Sequence, residues 1–83
     1  MNEKRLAVIS IMLEGADKSA DVNELLHEYG QYVVARLGVP VRERGVNVIC
    51  IVIDAPEDIT SALSGKLGMI EGVSSKTMVA KQK

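Results

Sequence analysis

Aromatic residues and cysteine are scarce in this chain of 83 residues, and their scarcity limits what the chain can be. It has no Phe or Trp, two tyrosines (Tyr29 and Tyr32) and a single cysteine, Cys50. One cysteine cannot form an intrachain disulfide, which excludes the stapled scaffolds of small secreted proteins. With so few rings, we expect a core of Val, Ile, Leu and Met.

Neither sign of charge dominates, since ten basic and eleven acidic residues give a net charge of −1. Proteins that bind nucleic acids neutralise phosphates with a basic excess, so we expect no direct contact with nucleic acid. No apolar run approaches the ~20 residues of a membrane-spanning helix. The first residues also lack the pattern of a signal peptide. We therefore expect a cytoplasmic protein that does not contact a membrane.

The most informative segment that is present is the β-branched run Val46–Ile53. Successive residues of a strand point to opposite faces, and here the even-numbered residues and, from Ile49 onward, the odd-numbered residues are both apolar. Two helices can cover only one face of a sheet in a chain of this length. The second face needs a partner, so we expect a homo-oligomer, a dimer or a tetramer, formed through the sheet.

Apolar residues at helical spacing predict two helices. The first is expected to begin at a cap on Asp17 or Ser19 and to stop at a left-handed Gly30. The second is expected to begin at Ala55-Pro56 and to be capped by Gly68. The predicted buried stripes are Val22, Leu25, Leu26 and Tyr29 in the first helix and Ile59, Ala62, Leu63 and Leu67 in the second.

Alternation and β-branched residues predict four strands, over Lys4–Leu13, Gln31–Leu37, Val46–Asp54 and Val73–Ala80. The segment Gly38–Gly45 is predicted to be a loop or an irregular hairpin, and so short a connection implies an antiparallel pair. The order is β-α-β-β-α-β. This order predicts one α+β domain over residues 1–83, a ferredoxin-like fold with strand order 4-1-3-2 and both helices on one face.

Residue types that carry catalysis or bind metals are few. His27 is the sole histidine, and we interpret it as a solvated helix residue, with metal binding across an interface as the alternative. Cys50 is interpreted as a small buried apolar residue rather than a ligand or a redox sensor. There is no Ser-His-Asp set, activated carboxylate pair or phosphate-binding loop. We expect no catalytic residue, no metal and no cofactor.

Two arginines flank a Gly/Pro-containing segment, and they carry the most specific chemical signal. Arg36 and Arg42 could hold a carboxylate or a phosphate through paired hydrogen bonds. The alternative is that Arg36, Arg42, Glu43 and Arg44 are ordinary surface charges of a hairpin, paired within or between subunits.

Three blocks carry a family resemblance: Val22–His27, Arg36–Glu43, and Ala62–Gly68, the last followed by Ile70–Val73. In them the chain resembles the iron-only hydrogenase system regulators, small ACT-like proteins with a ferredoxin-like fold. These are distantly similar in shape to the C-terminal domain of nickel-responsive repressors. The resemblance spans nearly all of residues 3–81. It implies a ligand-responsive or assembly domain with a role in transcription regulation or as an accessory protein.

Two departures from related families change what the resemblance implies. Nickel repressors have a His-rich second strand where this chain has Gly38-Val39-Pro40, and Cys50 is displaced from the ligand position of that family, which argues against nickel sensing. Amino-acid-binding ACT domains carry an Asp-Arg-Pro-Gly-like turn where this chain has Glu14–Asp17. No DNA-reading segment precedes the first strand, so we expect such a regulator to act through a partner.

The resemblance and the two-faced strands together lead us to expect a non-enzymatic oligomeric module that binds a small-molecule effector or a protein at subunit interfaces. ACT-like packing implies six ligand-binding residues: Gly15, Asp17, Arg36, Gly38, Arg42 and Gly68. A second hypothesis is a purely structural module that docks a hydrogenase or a maturation protein. A third is a small ferredoxin-fold enzyme, whose raw material would be Ser10, His27, Tyr29 and Tyr32.

Overall fold

The computed structural model describes residues 3–15 and 17–81, which form four strands and two helices. The strands are β1 (Lys4–Glu14), β2 (Val33–Val41), β3 (Val46–Pro56) and β4 (Val73–Val79). The helices are α1 (Ser19–Glu28) and α2 (Glu57–Gly68). Short 3-10 turns at Gly30–Tyr32 and Arg42–Arg44 flank β2.

The strands form one antiparallel sheet in the order β2-β3-β1-β4. This is the expected 4-1-3-2 order viewed from the other edge, and the ferredoxin-like α+β prediction is confirmed. β1 and β3 pair over their whole length, from Lys4 opposite Pro56 to Glu14 opposite Val46. Both are central strands, as the apolar residues on both of their faces predict.

The core lies between the helices and the odd-numbered side of the two central strands. Its sheet residues are Ala7, Ile9, Ile11, Leu13, Ile49, Ile51, Ile53 and Ala55, and its helix residues are Val22, Leu26, Leu63 and Leu67. The core is aliphatic, as the scarcity of aromatic residues predicts, and Tyr29 and Tyr32 pack against it. Among the described residues the expected methionines are absent from it, since Met12, Met69 and Met78 are exposed. Burying each large aliphatic side chain contributes about 1.5–3 kcal/mol.

The helix stripes agree with the predicted ones except at α2. Ala62 is exposed and Thr60 is buried in its place. At 3.6 residues per turn, Ala62 lies about 130° around the helix from the line through Thr60, Leu63 and Leu67. The predicted burial of Ala62 is therefore wrong, because spacing alone does not fix how the stripe is centred on the sheet.

Several predicted ends of elements are wrong. Gly30 does not stop α1 in a left-handed conformation; the glycines with positive φ are Gly15, Gly45 and Gly72. The N-cap of α1 is Lys18 rather than Asp17 or Ser19, and it makes no side-chain cap hydrogen bond. Gly30 instead begins the 3-10 turn that leads directly into β2.

At the second helix, the strand ladder overrides the proline signal. Ala55 pairs with Arg5 and is buried, so β3 continues to Pro56 and α2 begins only at Glu57. Pro56 is the N-cap, with φ −57° and ψ 147°. Gly68 is the last helical residue, and the C-cap is Met69.

Strand β2 departs furthest from its predicted bounds, because it begins at Val33 and continues through the predicted loop to Val41. Pro40 lies inside it, opposite Asn47 of β3. A proline is tolerated there because β2 is an edge strand, where a missing N–H can face the unpaired side. The segment Gly38–Val41 is therefore strand, and only the Arg42–Gly45 part remains a turn.

Candidate functional site

The face of the sheet turned away from the helices, here called the open face, is largely apolar. It is formed by the even-numbered residues of β1, β3 and β4 and by the odd-numbered residues of β2 from Ala35 onward. Its most exposed large residues are Leu6, Met12, Leu37, Val39 and Met78. A hollow of about 380 Å³ lies at one end, lined by Leu6, Val8, Val52, Met78 and Lys81 among others.

A β-bulge in β2 decides which of its side chains join the open face. Val33 pairs with Ile53, but Ala35 pairs with Val52, so one extra residue stands between them. Side chains alternate along a strand, so the extra residue changes which residue numbers lie on each face. Odd-numbered residues are on the helix side at Val33 and on the open face from Ala35 onward. Beyond the bulge, Leu37 and Val39 lie on the open face, opposite Cys50 and Val48.

The same bulge places Arg36, Gly38 and Pro40 on the helix side of the sheet, opposite Ile51, Ile49 and Asn47. Gly38 has no side chain, and even an added Cβ would meet nothing within 4 Å. A groove of about 250 Å³ therefore remains between α1 and this strand, here called the α1–β2 groove. Its lining is Leu13, Ser19, Asn23, Arg36, Gly38, Val39, Pro40, Asn47, Val48 and Ile49.

The polar side of this groove is organised around Arg36. A terminal nitrogen of its guanidinium donates a hydrogen bond to Oδ1 of Asn23, on α1. Asn23 thereby links the helix to the edge strand across the groove. Arg36 is the one charged residue among the described lining residues, and it takes part in neither ion pair found in the described chain, Arg5–Glu57 or Lys18–Asp21.

A second, smaller groove of about 180 Å³ lies at the tip of the β2–β3 hairpin and is called the hairpin-tip groove. It is lined by Gly15, Val41, Arg42, Gly45, Val46 and Asn47. The Gly15 N–H donates to the carbonyl of Gly45 at 2.9 Å, which holds the turn after β1 against the hairpin. Both of these glycines have positive φ, a conformation that favours glycine.

The six residues expected to bind a ligand are thus distributed over two grooves and beyond. Arg36 and Gly38 line the α1–β2 groove, whereas Gly15 and Arg42 line the hairpin-tip groove. The two grooves share Asn47. Asp17 is exposed before α1, Gly68 ends α2, and neither lines either groove. The two arginines therefore line different grooves of the chain.

Sequence reasoning missed the amide side chains of the α1–β2 groove. Asn47 interrupts an apolar run, in the order Val46-Asn47-Val48 on β3, whereas Asn23 lies between Val22 and Glu24 on α1 and does not stand out from its neighbours. Asn47 is the odd-numbered residue at which the apolar helix-side row of β3 ends, opposite Leu13. That break in an apolar row was the available signal.

Cys50 and His27 occupy separate surroundings. Cys50 is half-buried on the open face rather than inside the core, with its Sγ 3.9 Å from Oγ of Ser10. His27 is exposed on α1, as interpreted from the sequence. Among residues 3–15 and 17–81, no three His, Cys, Asp or Glu side chains are close enough together to hold a metal ion.

One electrostatic interaction joins the two helices. The ammonium of Lys66 lies 5.2 Å from the ring centroid of Tyr29, a cation–π contact. Hydrogen bonding to Tyr29 and its charge raise the pKa of Lys66 above the ordinary 10.5. This pair lies on the helix layer, away from both grooves. Neither of the described helices is long and apolar enough to span a membrane.

Comparison with known proteins identifies a family relationship. The model of the TM1266-like family, described as "Iron-only hydrogenase system regulator, putative", matches residues 5–77. The solved structure of the uncharacterized protein TM1266 from Thermotoga maritima is 42% identical to this chain, with a TM-score of 0.91. That match covers 95% of this chain and 100% of the other.

A more distant structural match concerns the fold alone. A formyltetrahydrofolate deformylase from Pseudomonas putida KT2440 matches with a TM-score of 0.64 and 16% identity. The match covers 88% of this chain and 28% of the deformylase chain. No curated protein matches this sequence.

Proposed function

This chain belongs to the TM1266-like family of iron-only hydrogenase system regulators, and on that basis we propose that it is a non-enzymatic regulatory module. In this proposal the module assembles with further copies of itself through the open face of its sheet. It binds a small effector or a protein close to the subunit interface. The description of the family as a regulator supports the non-enzymatic part.

The observation that carries the proposal is the exposure of apolar side chains across the open face. Leu37 is 62% exposed and Met78 is 70% exposed, on opposite edge strands of the same face. Monomeric proteins rarely leave a contiguous apolar area of this kind uncovered. Covering it with an identical sheet would bury both copies at once, in the aligned packing that two twisted sheets adopt.

The dimensions of the open face suit a second copy of the chain. Four strands about 4.8 Å apart, with about 3.3 Å per residue, give a flat area of roughly 19 by 30 Å. The accessible area is larger, because side chains corrugate the surface. It therefore approaches the ~800 Å² that each partner buries in a standard stable interface.

The distribution of charge also supports assembly through this face. Asp54 and Glu14 lie at its two ends, and Lys76 lies on the edge strand β4. The middle holds Cys50 and Ser10, which are small and uncharged. An apolar centre with a charged rim is the usual anatomy of a protein interface, because charged groups at the rim remain hydrated.

Effector binding is proposed in the two grooves because β2 links them to the open face. The strand presents Arg36 and Gly38 to the α1–β2 groove and Leu37 and Val39 to the open face. A ligand that orders β2 from one side would change the free energy of assembly on the other. Such coupling is reciprocal, so assembly would change ligand affinity by the same factor.

Sedimentation velocity on a matched pair of variants tests the assembly. Leu37→Lys places a charge on the open face beside Cys50, on an edge strand that tolerates it. Met69→Lys makes a similar change at Met69, which is 86% exposed at the end of α2. We expect wild type and Met69→Lys to sediment as the same oligomer at micromolar concentration and Leu37→Lys to dissociate.

Two results would contradict the proposed assembly. A well-folded wild-type monomer would show that the open face does not bind a second copy of the chain. It would favour the hypothesis of a module that docks a hydrogenase or a maturation partner. An oligomer that is equally stable in Leu37→Lys would place the interface elsewhere on the molecule. Circular dichroism of each variant separates loss of assembly from loss of folding.

A further inference from the structure

We propose that the α1–β2 groove is a binding site for a small organic acid, with the carboxylate on Arg36 and an apolar body over Pro40 and Ile49. This inference deepens the proposed function and rests on its effector-binding part. It names the residue that recognises the ligand and the chemical class of the ligand.

The charge of the groove selects an anion. Arg36 carries the one charge among its described lining residues, and no acidic side chain lies among them. A guanidinium has five N–H donors in a planar fork that matches two carboxylate oxygens. The hydrogen bond to Asn23 uses one terminal nitrogen and fixes the orientation of the fork, so donors remain for a ligand.

The remainder of the lining selects an organic anion over a bare inorganic one. Leu13 is fully buried and Ile49 is 8% exposed, and they form an apolar floor together with the ring of Pro40. Phosphate alone would hydrogen-bond to Arg36 but leave this floor uncovered. An aliphatic chain attached to a carboxylate would cover it, and that burial favours binding.

The size of the groove limits the ligand. Its volume of about 250 Å³ lies below the ~300–1,000 Å³ of pockets for drug-sized ligands. The amides of Asn23 and Asn47, on opposite sides, offer further hydrogen bonds to a polar substituent. A linear acid of five carbons is therefore a suitable first probe.

The bulge in β2 makes this site possible. If the same residues formed an unbroken ladder from the Val33–Ile53 pair, every residue after Val33 would be shifted by one partner. Leu37 and Val39 would then face the helices. Arg36 would lie on the open face, and the groove would be filled with apolar side chains. Bulges commonly re-aim side chains beside functional sites, as this one does.

The test is an amide NMR titration of the full chain with three probes: pentanoate, the uncharged pentanamide and inorganic phosphate. We expect pentanoate to shift the amide signals of Arg36, Gly38 and Asn47 in a saturable manner. Pentanamide has nearly the same shape and lacks the charge, so we expect it to bind roughly tenfold more weakly or worse, as loss of a charge-assisted hydrogen bond implies.

Two arginine variants locate the site. Arg36→Gln removes the cation and should weaken pentanoate binding by roughly tenfold or more. Arg44→Gln makes the same change in the turn between β2 and β3, at a residue that lines neither groove, and should leave the affinity for pentanoate unchanged. Both arginines are exposed, so the amide spectra of the two variants will also show that the fold is retained.

Three outcomes would overturn this inference: equal binding of pentanoate and pentanamide, unchanged binding in Arg36→Gln, or binding of phosphate without pentanoate. Sedimentation of the same samples separates this failure from that of the proposed assembly. A chain that assembles through its open face but binds no acid refutes the organic-acid site alone. A monomer that binds pentanoate through Arg36 refutes the assembly alone.

Discussion

The hydroxyl oxygen of Ser10 lies 3.9 Å from the sulfur of Cys50, across the two central strands and in the middle of the open face. Ser10 is smaller than its neighbours on the same face of β1, Val8 and Met12, and Cys50 is likewise smaller than its neighbours on the same face of β3. The pair therefore forms the shallow centre of an otherwise apolar surface. Any second sheet that covers the whole face must cover this thiol.

The thiol of Cys50 consequently reports on assembly without a label having to be introduced. We expect it to react slowly with an aromatic disulfide reagent in the wild-type oligomer. Leu37→Lys should accelerate the reaction by roughly tenfold for every ~1.4 kcal/mol of assembly free energy that is lost. Stopped-flow absorbance measures the rate, with Met69→Lys as the matched control. Equal rates in all three proteins would show that the thiol is not covered.

Two glycines should respond in opposite directions to the same substitution. Gly65 lies inside α2 with open space around it, so Gly65→Ala should raise the free energy of unfolding by about 0.5–1 kcal/mol. Gly72 has φ +84°, and a Cβ there would lie 3.1 Å from the carbonyl oxygen of Glu14. Gly72→Ala should therefore lower the free energy of unfolding by about 1–2 kcal/mol.

Urea denaturation followed by circular dichroism checks this pair at one protein concentration. The two variants have the same composition, so any difference between them comes from backbone position. A stabilising Gly72→Ala would contradict the assigned left-handed turn before β4.

Leu63 tests the contribution of the aliphatic core. It lies on α2 and is fully buried against the sheet. Leu63→Ala should lower the free energy of unfolding by about 3 kcal/mol, through lost burial and a residual cavity. Met69→Ala removes a side chain of similar size from an exposed position and should change it by less than about 0.5 kcal/mol. Thermal and urea unfolding measure both values. Equal losses of unfolding free energy in Leu63→Ala and Met69→Ala would refute the assigned core.

Lys66 gives a prediction about pH, because its pKa is raised above the ordinary 10.5 by the hydrogen bond and charge of Tyr29. A raised pKa in the folded chain means that the contact stabilises the fold fully below the unfolded pKa. The stabilisation is then lost as the pH rises through the folded pKa. Tyr29→Phe keeps the ring and removes the hydroxyl, so the pKa of Lys66 should fall towards 10.5.

A carbon-detected titration of the Lys66 side chain measures that shift directly. Tyr32→Phe is the matched control, since Tyr32 carries the same hydroxyl on the other side of the 3-10 turn. A pKa for Lys66 that is unchanged in Tyr29→Phe would show that the hydroxyl does not act on the ammonium.

Much of the fold follows from the sequence because apolar residues on both faces mark central strands. The runs Lys4–Leu13 and Val46–Asp54 have this property, and β1 and β3 are indeed central. The ends of the elements were less predictable, as Gly30 and Pro56 illustrate. Local signals at these two residues compete with strand pairing and with tertiary packing, and here the tertiary structure prevails.

The candidate site was only half predictable. Arg36 and Gly38 were singled out together and line one groove, but Arg42 lines another. The side of the sheet on which Arg36 lies depends on the bulge. The alternation of residues from Val33 to Leu37 does not indicate an extra residue there. The partner of Arg36, Asn23, comes from α1, a contact that exists only after the helix has packed on the sheet.

The bulge also means that β2 can lose a residue without changing its surfaces. Deleting Val34 would remove the extra residue, and Ala35 would follow Val33 directly and still pair with Val52. Arg36 would keep its place on the helix side of the sheet, and Leu37 would keep its place on the open face. A deletion of one codon at this point would therefore make the strand regular, while the surfaces that the protein offers to ligands and to its own copies stay the same.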